Sequence, residues 1–343
     1  MPDATRRLAR WLIALSCHYS GIDRVFRWWR GPAMAILMLH RVRDDHDPLP
    51  LSITNRSYRR MVGWLNRHAS LVGLDDGLRL LETGQRTTHY VLTFDDGYRD
   101  NLALLSTPGG VPPAILYLAT GHIGGEVIWV YRLSAAFERR RNHALDLSAQ
   151  GIGCWPLDTP AEVEHCLLEL NDALKRHPAP ELERLVDEIS RQLDPEPPTT
   201  DEREMLDWSE VLAIARAGVE IGSQTVHHAI LSRVDASMAR DELVHSHAQI
   251  TAHVGTPPRH FAYPNGGAED FGERDVALVR KAGYATATTT TEGVNRPGGD
   301  PYRLLRHNVH EQRFLSPFGT LSRALFFSET SGVLDWLRNR RRH

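Results

Sequence analysis

The sequence predicts an α/β protein in which β/α units surround a parallel sheet and a helical segment is inserted between two of them. Short apolar runs of strand length alternate with longer segments of helical spacing, the pattern of parallel strands joined by crossover helices. Between Trp129 and Leu206 that alternation stops, and charged amphipathic helices follow one another instead. No internal similarity at solenoid or propeller periods competes with this reading.

Taken in order, Ala35 to Leu39 is the first buried-strand candidate. Ser57 to His68 follows with helical spacing of Tyr58, Met61, Val62 and Leu65. Tyr90 to Phe94 and Ala114 to Ala119 are the next strands. Val219 to Gly222, His260 to Tyr263 and Ala285 to Thr289 are further short strands, each led by a helical segment. In between, Leu133 to Arg140, Ala161 to Lys175 and Glu181 to Leu193 read as helices, punctuated by Pro156, Pro160, Pro178, Pro180, Pro195, Pro197 and Pro198. No strand candidate lies there, so residues of about 130–205 read as a helical insertion rather than a separate catalytic unit.

The 343 residues suffice for one large catalytic domain with an elaboration or for two modest domains. With 41% apolar and 24% charged residues the chain is an ordinary globular protein, and a net charge of −3 gives no basic field for nucleic acid. Arginines cluster at both ends (Arg6, Arg7, Arg10; Arg338, Arg340, Arg341, Arg342) and read as solvated tails. Cys17, Cys154 and Cys166 form neither a disulfide framework nor a metal-binding spacing, which fits a reducing compartment and a cytoplasmic location. The apolar stretch Trp11 to Cys17 after those arginines is too short to span a bilayer and lacks a clear cleavage site. With Arg24, Phe26, Trp28 and Trp29 close behind, residues 1–32 read as an amphipathic helical segment that touches a membrane surface.

Chemistry enters at Val91-Leu92-Thr93-Phe94-Asp95-Asp96-Gly97-Tyr98, where a buried strand runs straight into two carboxylates. Ligands in α/β folds sit beyond the carboxyl ends of strands. Neighbouring strand residues face different ways, so one Asp can hold a metal while the other takes a proton from water. Asp75-Asp76-Gly77 has the same three residues before helical Leu78 and Leu81, and there the acids read as helix caps. Downstream, Gly222-Ser223-Gln224-Thr225-Val226-His227-His228 leaves a short strand, and the four-residue spacing of Gln224 and His228 puts both on one side of a helical turn, as in paired metal histidines. Phe261-Ala262-Tyr263-Pro264-Asn265-Gly266 then combines a strand with a turn signal.

In order and approximate spacing these three segments resemble the polysaccharide deacetylase family (NodB homology, carbohydrate esterase 4). Leu37-Met38-Leu39-His40-Arg41-Val42 is similar to its opening strand; Gly283-Tyr284, Asn295-Arg296-Pro297 and Asp300-Pro301-Tyr302-Arg303 resemble its closing region. The resemblance covers roughly residues 36–309. It implies a deformed (β/α)7-type barrel over 33–310 that carries the insertion, followed by a helical basic tail over 311–343. It also implies metal-dependent removal of N-acetyl or O-acetyl groups from an acetylated polysaccharide, oligosaccharide or glycan precursor, at a divalent metal of zinc type.

By position, the resemblance makes Asp95 the general base, Asp96 and His228 metal ligands, and the Asn265 backbone N–H after Tyr263-Pro264 an oxyanion donor. Gln224 stands where the first metal histidine belongs, and its neutral amide oxygen is a poorer zinc donor than imidazole. His227 is a rescue ligand only if it can turn toward its neighbour's site. Ala262 stands where many relatives have an arginine that orients the catalytic Asp, although a subset shares Phe-Ala-Tyr-Pro. His307, in Leu305-Arg306-His307, is the candidate general acid, and His40 a candidate for the site wall. Two other functions stay open: a non-catalytic glycan-binding relative, for which Gln224 is the whole case, and a hydrolase of a non-sugar C–N bond.

Overall fold

The structure is a computed structural model that describes residues 2–45, 47, 51–107, 112–177, 179–197 and 203–340. Pro178, Pro198, Arg341 and Arg342, singled out above, lie outside the described residues. Seven parallel strands close into a barrel: β1 (Ala33–Leu39), β2 (Thr88–Phe94), β3 (Ala114–Leu118), β4 (Glu220–Ser223), β5 (His260–Ala262), β6 (Thr286–Glu292) and β7 (Leu304–Asn308). Spatial order follows the chain, and β1 closes the ring by pairing with both β7 and β2. A two-residue strand, Ser70–Leu71, extends the sheet beside the start of β2. The predicted barrel is therefore present. Its seventh strand escaped the apolar-run criterion because only Leu304 and Leu305 of Leu304-Leu305-Arg306-His307-Asn308 are apolar.

Alternation along the strands divides two packing faces. Met34, Ile36, Val91, Ile115, Tyr117, Ala262 and Leu304 form one cluster that fills the barrel. Ala35, Leu37, Leu39, Tyr90, Leu92 and Phe94 point outward against helices. Helices α1 (Pro2–Tyr19) and α2 (Ile22–Arg30) precede the barrel, and α3 (Asn55–His68) and α4 (Leu74–Glu82) lie between β1 and β2. The helix α4 packs at the amino ends of β1 and β2, where a Cβ on Gly77 would come 2.5 Å from the Met34 sulfur. Glycine at 77 thus lets the helix close the barrel floor. Its N-cap is Gly73, so Asp75 and Asp76 are first-turn acids near the positive end of the helix rather than caps.

The insertion consists of α5 (Trp129–Glu138), α6 (Pro160–Leu174) and α7 (Ala179–Leu193). It also contains an antiparallel pair of strands, Ala144–Asp146 with Cys154–Pro156, which the sequence reading did not include. Only Leu145 and Trp155 point inward there, so three-residue strands leave no periodic signal. The insertion has its own core of Trp129, Leu133, Leu147, Leu170, Val186 and Ile189. Arg41, fully buried, ties it to the barrel: Nε donates to Asp100 at 2.5 Å, Nη2 pairs with Glu204, and the guanidinium lies over the Tyr98 and Tyr131 rings.

Beyond the insertion run α8 (Trp208–Arg216), α9 (Ala236–Val254), α10 (Glu273–Lys281), α11 (Arg323–Thr330) and α12 (Val333–Arg340). The expected C-terminal tail is helical but not a solvated end. Phe326 and Phe327 pack into the outer core beside Tyr90, whose hydroxyl meets Thr330 Oγ1 at 3.1 Å. The N-terminal helices use their apolar side in the same place: Ala14, Cys17 and Phe26 pack with Ala324, Leu325, Val333 and Leu334, and Arg10 pairs with buried Glu329. The expected membrane contact of this segment finds no support: Phe26 packs on protein, while Trp28 and Trp29 remain exposed with nothing described against them that marks a membrane. Among the described residues no helix is long and apolar enough to cross a membrane.

Candidate active site

All three motifs end at the carboxyl rim of the barrel, where their turns line one pocket of about 400 Å³. Of the residues singled out from sequence, His40, Asp95, Asp96, Gln224, His228 and Asn265 line it. Four non-glycine residues in these turns have left-handed backbone: Asp96 (φ 77°), Thr225 (67°), His228 (55°) and Asn265 (57°). Each such conformation costs of order 1–3 kcal/mol and persists only where surrounding structure enforces it, as at functional sites.

Asp95 continues the inward parity of Val91 and Thr93 and is buried. Its Oδ1 accepts from Arg306 Nη1 at 2.7 Å. Arg306, fully buried on β7, also donates from Nε to the Thr289 carbonyl at 2.8 Å and from Nη1 to Thr93 Oγ1 at 3.3 Å. No described residue donates to Asp95 Oδ2. Ala262 shares the barrel interior, so the arginine absent from β5 is replaced by one that reaches Asp95 from β7. No local signal placed Arg306 inward, because Leu304-Leu305-Arg306-His307-Asn308 has no apolar and polar alternation.

Asp96 turns out of the strand line. Its backbone N–H donates to Gln224 Oε1 at 3.1 Å, and its Oδ1 stands 3.6 Å from His228 Nε2. Burial, with the Asp95 charge adding to it, pushes the Asp96 carboxyl up to about 6 against the opposing charges of His40 and Arg306. Burial likewise pushes the His228 imidazole down to about 4, with His122 and Lys175 adding. Gln224 and His228 do not share a helical turn, as their spacing suggested. They belong to a loop that the buried Glu242 clamps, its Oε2 accepting from the N–H groups of Val226 (2.8 Å) and His227 (2.9 Å). His227 pairs with Glu242 Oε1 through Nδ1 at 2.7 Å and faces outward, away from His228. On β4, just before this loop, a Cβ on Gly222 would come 2.5 Å from the Tyr117 ring of β3, so only glycine there lets the inner wall close.

The donor set decides whether zinc fits. A catalytic zinc takes three protein ligands. Asp96 and His228 stand near the roughly 3.3 Å that two ligands of one tetrahedral zinc span. Gln224 does not complete them. Its Oε1 is held by the Asp96 N–H, so its amide N–H faces His228 Nε2 at 3.1 Å and donates to the lone pair that would bind the cation. Among the described residues no three His, Cys, Asp or Glu side chains converge as a metal site. These residues do not fit the zinc centre that the resemblance implies.

Three further expectations fall elsewhere. His307 is turned away from Asp95, on the outward parity of β7, with Nδ1 on Glu292 at 3.1 Å, and it does not line the pocket. The Tyr263 ring stacks on Phe271 outside the barrel, and Pro264 serves the turn that carries Asn265. Asn265 lines the pocket, and its carbonyl accepts from Thr290 Oγ1; among the described residues its own N–H meets no acceptor. Motif reading missed Lys175 and Asn171, which α6 brings to the rim, and Glu292 and Asn308 at the ends of β6 and β7.

Residues 181–287 match the family model for polysaccharide deacetylase, a span that contains Gln224, His228 and Asn265. Over that span the barrel is similar in sequence to the polysaccharide deacetylase family. Solved structures share its fold. BC0361, a polysaccharide deacetylase from Bacillus cereus, superposes with a TM-score of 0.51 at 16% identity, covering 82% of this chain and 66% of its own. The Streptococcus pyogenes deacetylase PplD, in complex with acetate, gives 0.54 at 13% identity over 85% of this chain and 99% of its own. IcaB from Ammonifex degensii gives 0.52 at 15%, covering 82% and 94%. The chain thus spans about two thirds of the length of BC0361. No curated protein matches it.

Proposed function

We propose that the pocket hydrolyses an acetyl group from a sugar unit of a polysaccharide or glycan precursor. The observation that carries the reading is the buried Arg306–Asp95 pair at the pocket floor, which fixes one carboxylate oxygen and leaves Oδ2 for water. Asp95 takes a proton as the water oxygen bonds to the acetyl carbon, and the Asn265 N–H stabilises the oxyanion that develops. Breaking the carbon–nitrogen bond (or carbon–oxygen, for an ester) releases acetate, and the proton taken from water balances the one the leaving group needs. The family match and the shared fold support deacetylation as the reaction class.

A second reading, glycan binding without turnover, is favoured by one observation: the Gln224 amide occupies the His228 lone pair. Acetate release from N-acetylglucosamine oligomers and O-acetylated sugars, with bound metal quantified on the same sample, separates the two. Release that disappears in Asp95→Asn supports the hydrolase. Calorimetric binding of the oligomers with no release from any of them supports the binding protein.

A further inference from the structure

Away from the catalytic pocket, a cavity of about 290 Å³ lies where α1, α2, α3 and α11 meet. Gly21, at φ 81°, turns the chain between α1 and α2, and His18 and Tyr19 at the end of α1 line the cavity. Arg24 and Arg27, three residues apart, share one side of α2 and line it too. Arg323, the first residue of α11, joins them from the other end of the chain. Three guanidinium groups from two remote segments thus converge on one space.

Aromatic rings hold two of them. Arg27 Cζ lies 5.9 Å from the centre of the Phe327 ring, on which the His18 ring stacks at 5.8 Å. Arg323 Cζ lies 6.0 Å from the Tyr19 ring centre, and its Nη1 donates to His68 Nε2 at 3.4 Å. No carboxylate among the described residues pairs with any of the three arginines. Asp23, beside Arg24 in sequence, is fully buried, meets His18 Nδ1 through Oδ2 at 2.8 Å, and does not line the cavity. By contrast, Arg41 has Asp100 and Glu204, Arg306 has Asp95, and Arg313 has Glu292. The cavity therefore holds the cations of an ion-pair network without its anion.

Gathered like charges repel, and an anion that enters relieves the repulsion. Guanidinium is a planar fork of donors with no acceptor. A carboxylate offers its two oxygens in one plane, whereas a phosphate group offers three acceptor oxygens and close to two charges at neutral pH. Only the phosphate gives each of three forks an oxygen of its own. We propose that this cavity is a binding site for a phosphate group, that of a soluble phosphate ester or of a lipid headgroup, held by Arg24, Arg27 and Arg323. The inference does not rest on the deacetylase reading, and neither stands or falls with the other.

The test is calorimetric titration of the full chain with inorganic phosphate, glycerol 3-phosphate and acetate at one ionic strength, since salt screens exposed charges. Both phosphates are expected to bind at one site at least about tenfold tighter than acetate. Arg24→Gln and Arg323→Gln should each weaken phosphate at least about tenfold, the ratio for one lost hydrogen bond between charged groups. Arg24 is exposed, so its replacement leaves the fold intact, and Arg240→Gln, an exposed arginine on α9 outside the cavity, should change nothing. Cosedimentation with phosphatidylcholine vesicles, with and without phosphatidate, separates the two sources. Phosphatidate-dependent capture that Arg24→Gln abolishes assigns a lipid headgroup; phosphate binding without capture assigns a soluble ester. The proposal is overturned if phosphate does not saturate a site, if acetate binds as tightly, if both cavity variants keep wild-type affinity, or if Arg240→Gln weakens binding as much as they do.

Discussion

Arg306 Nη1 and Asp95 Oδ1 meet at 2.7 Å with both side chains withdrawn from solvent, although 211 residues separate them in sequence. Removing one member of a buried ion pair strands the other. Arg306→Ala is therefore expected to destabilise the protein by about 3–5 kcal/mol, read by urea denaturation. Arg306→Lys keeps the charge but cannot reach Thr289, Thr93 and Asp95 together, so it should fall between wild type and alanine in both stability and turnover. Wild-type stability in the alanine variant would show that Asp95 does not depend on this partner.

Gln224 holds two groups that a metal site would need free. Gln224→His should raise zinc affinity by at least about 10–100-fold, the cost typical of disturbing even an outer-shell partner, measured by competition with a chromogenic chelator. Gln224→Ala should bind no tighter than wild type and should lose about 1–2 kcal/mol of stability from the unpaired Asp96 N–H. Equal zinc affinity in all three proteins would place the metal-binding corner elsewhere.

The loop that carries His228 depends on Glu242, whose carboxylate takes two backbone N–H groups and the His227 ring. Glu242→Ala is expected to cost about 2–3 kcal/mol through unsatisfied buried donors. It should also make amide exchange at Val226 and His227 much faster than in wild type. Unchanged protection factors at those two amides would rule out the clamp.

Glu292 gives a pH signature. Burial alone would raise its carboxyl, but hydrogen bonds from His307 and Arg313 and the Arg313 charge outweigh burial and hold it down at about 2. A carboxyl with a depressed folded-state value adds stability above its ordinary range near 4.5 and loses it as pH falls toward 2. Glu292→Gln should therefore melt below wild type at pH 7, and the gap should close between pH 4.5 and 2. The side chain is partly exposed, so added salt should narrow the gap at pH 7 as well. A gap independent of pH would assign the effect to packing.

Phe326 tests whether the C-terminal helices belong to the barrel. It touches Trp64, Tyr90 and Phe314 and is fully buried. Phe326→Ala is expected to cost about 3–5 kcal/mol, lowering the midpoint of the single barrel transition. A loss below about 0.5 kcal/mol, the level of a surface change, would return this segment to a solvated tail.

By itself the sequence determined the β/α alternation, six of the seven barrel strands and the motif turns, because burial on both faces writes itself as apolar runs and turns write themselves as Asp, Asn, Pro and Gly. It also put Asp95, Asp96, Gln224, His228 and Asn265 at strand ends, which a closed parallel barrel brings to one rim. Tertiary structure decided what is a matter of direction and distance. His307 and Arg306 are neighbours in sequence, yet strand pleat sends one outward to Glu292 and the other inward to Asp95. Lys175 and Asn171 reach the pocket only because a distant helix folds over it, and Phe326 is core only because the barrel wall lies beneath it. None of these leaves a local periodic trace, since each depends on a partner remote in sequence.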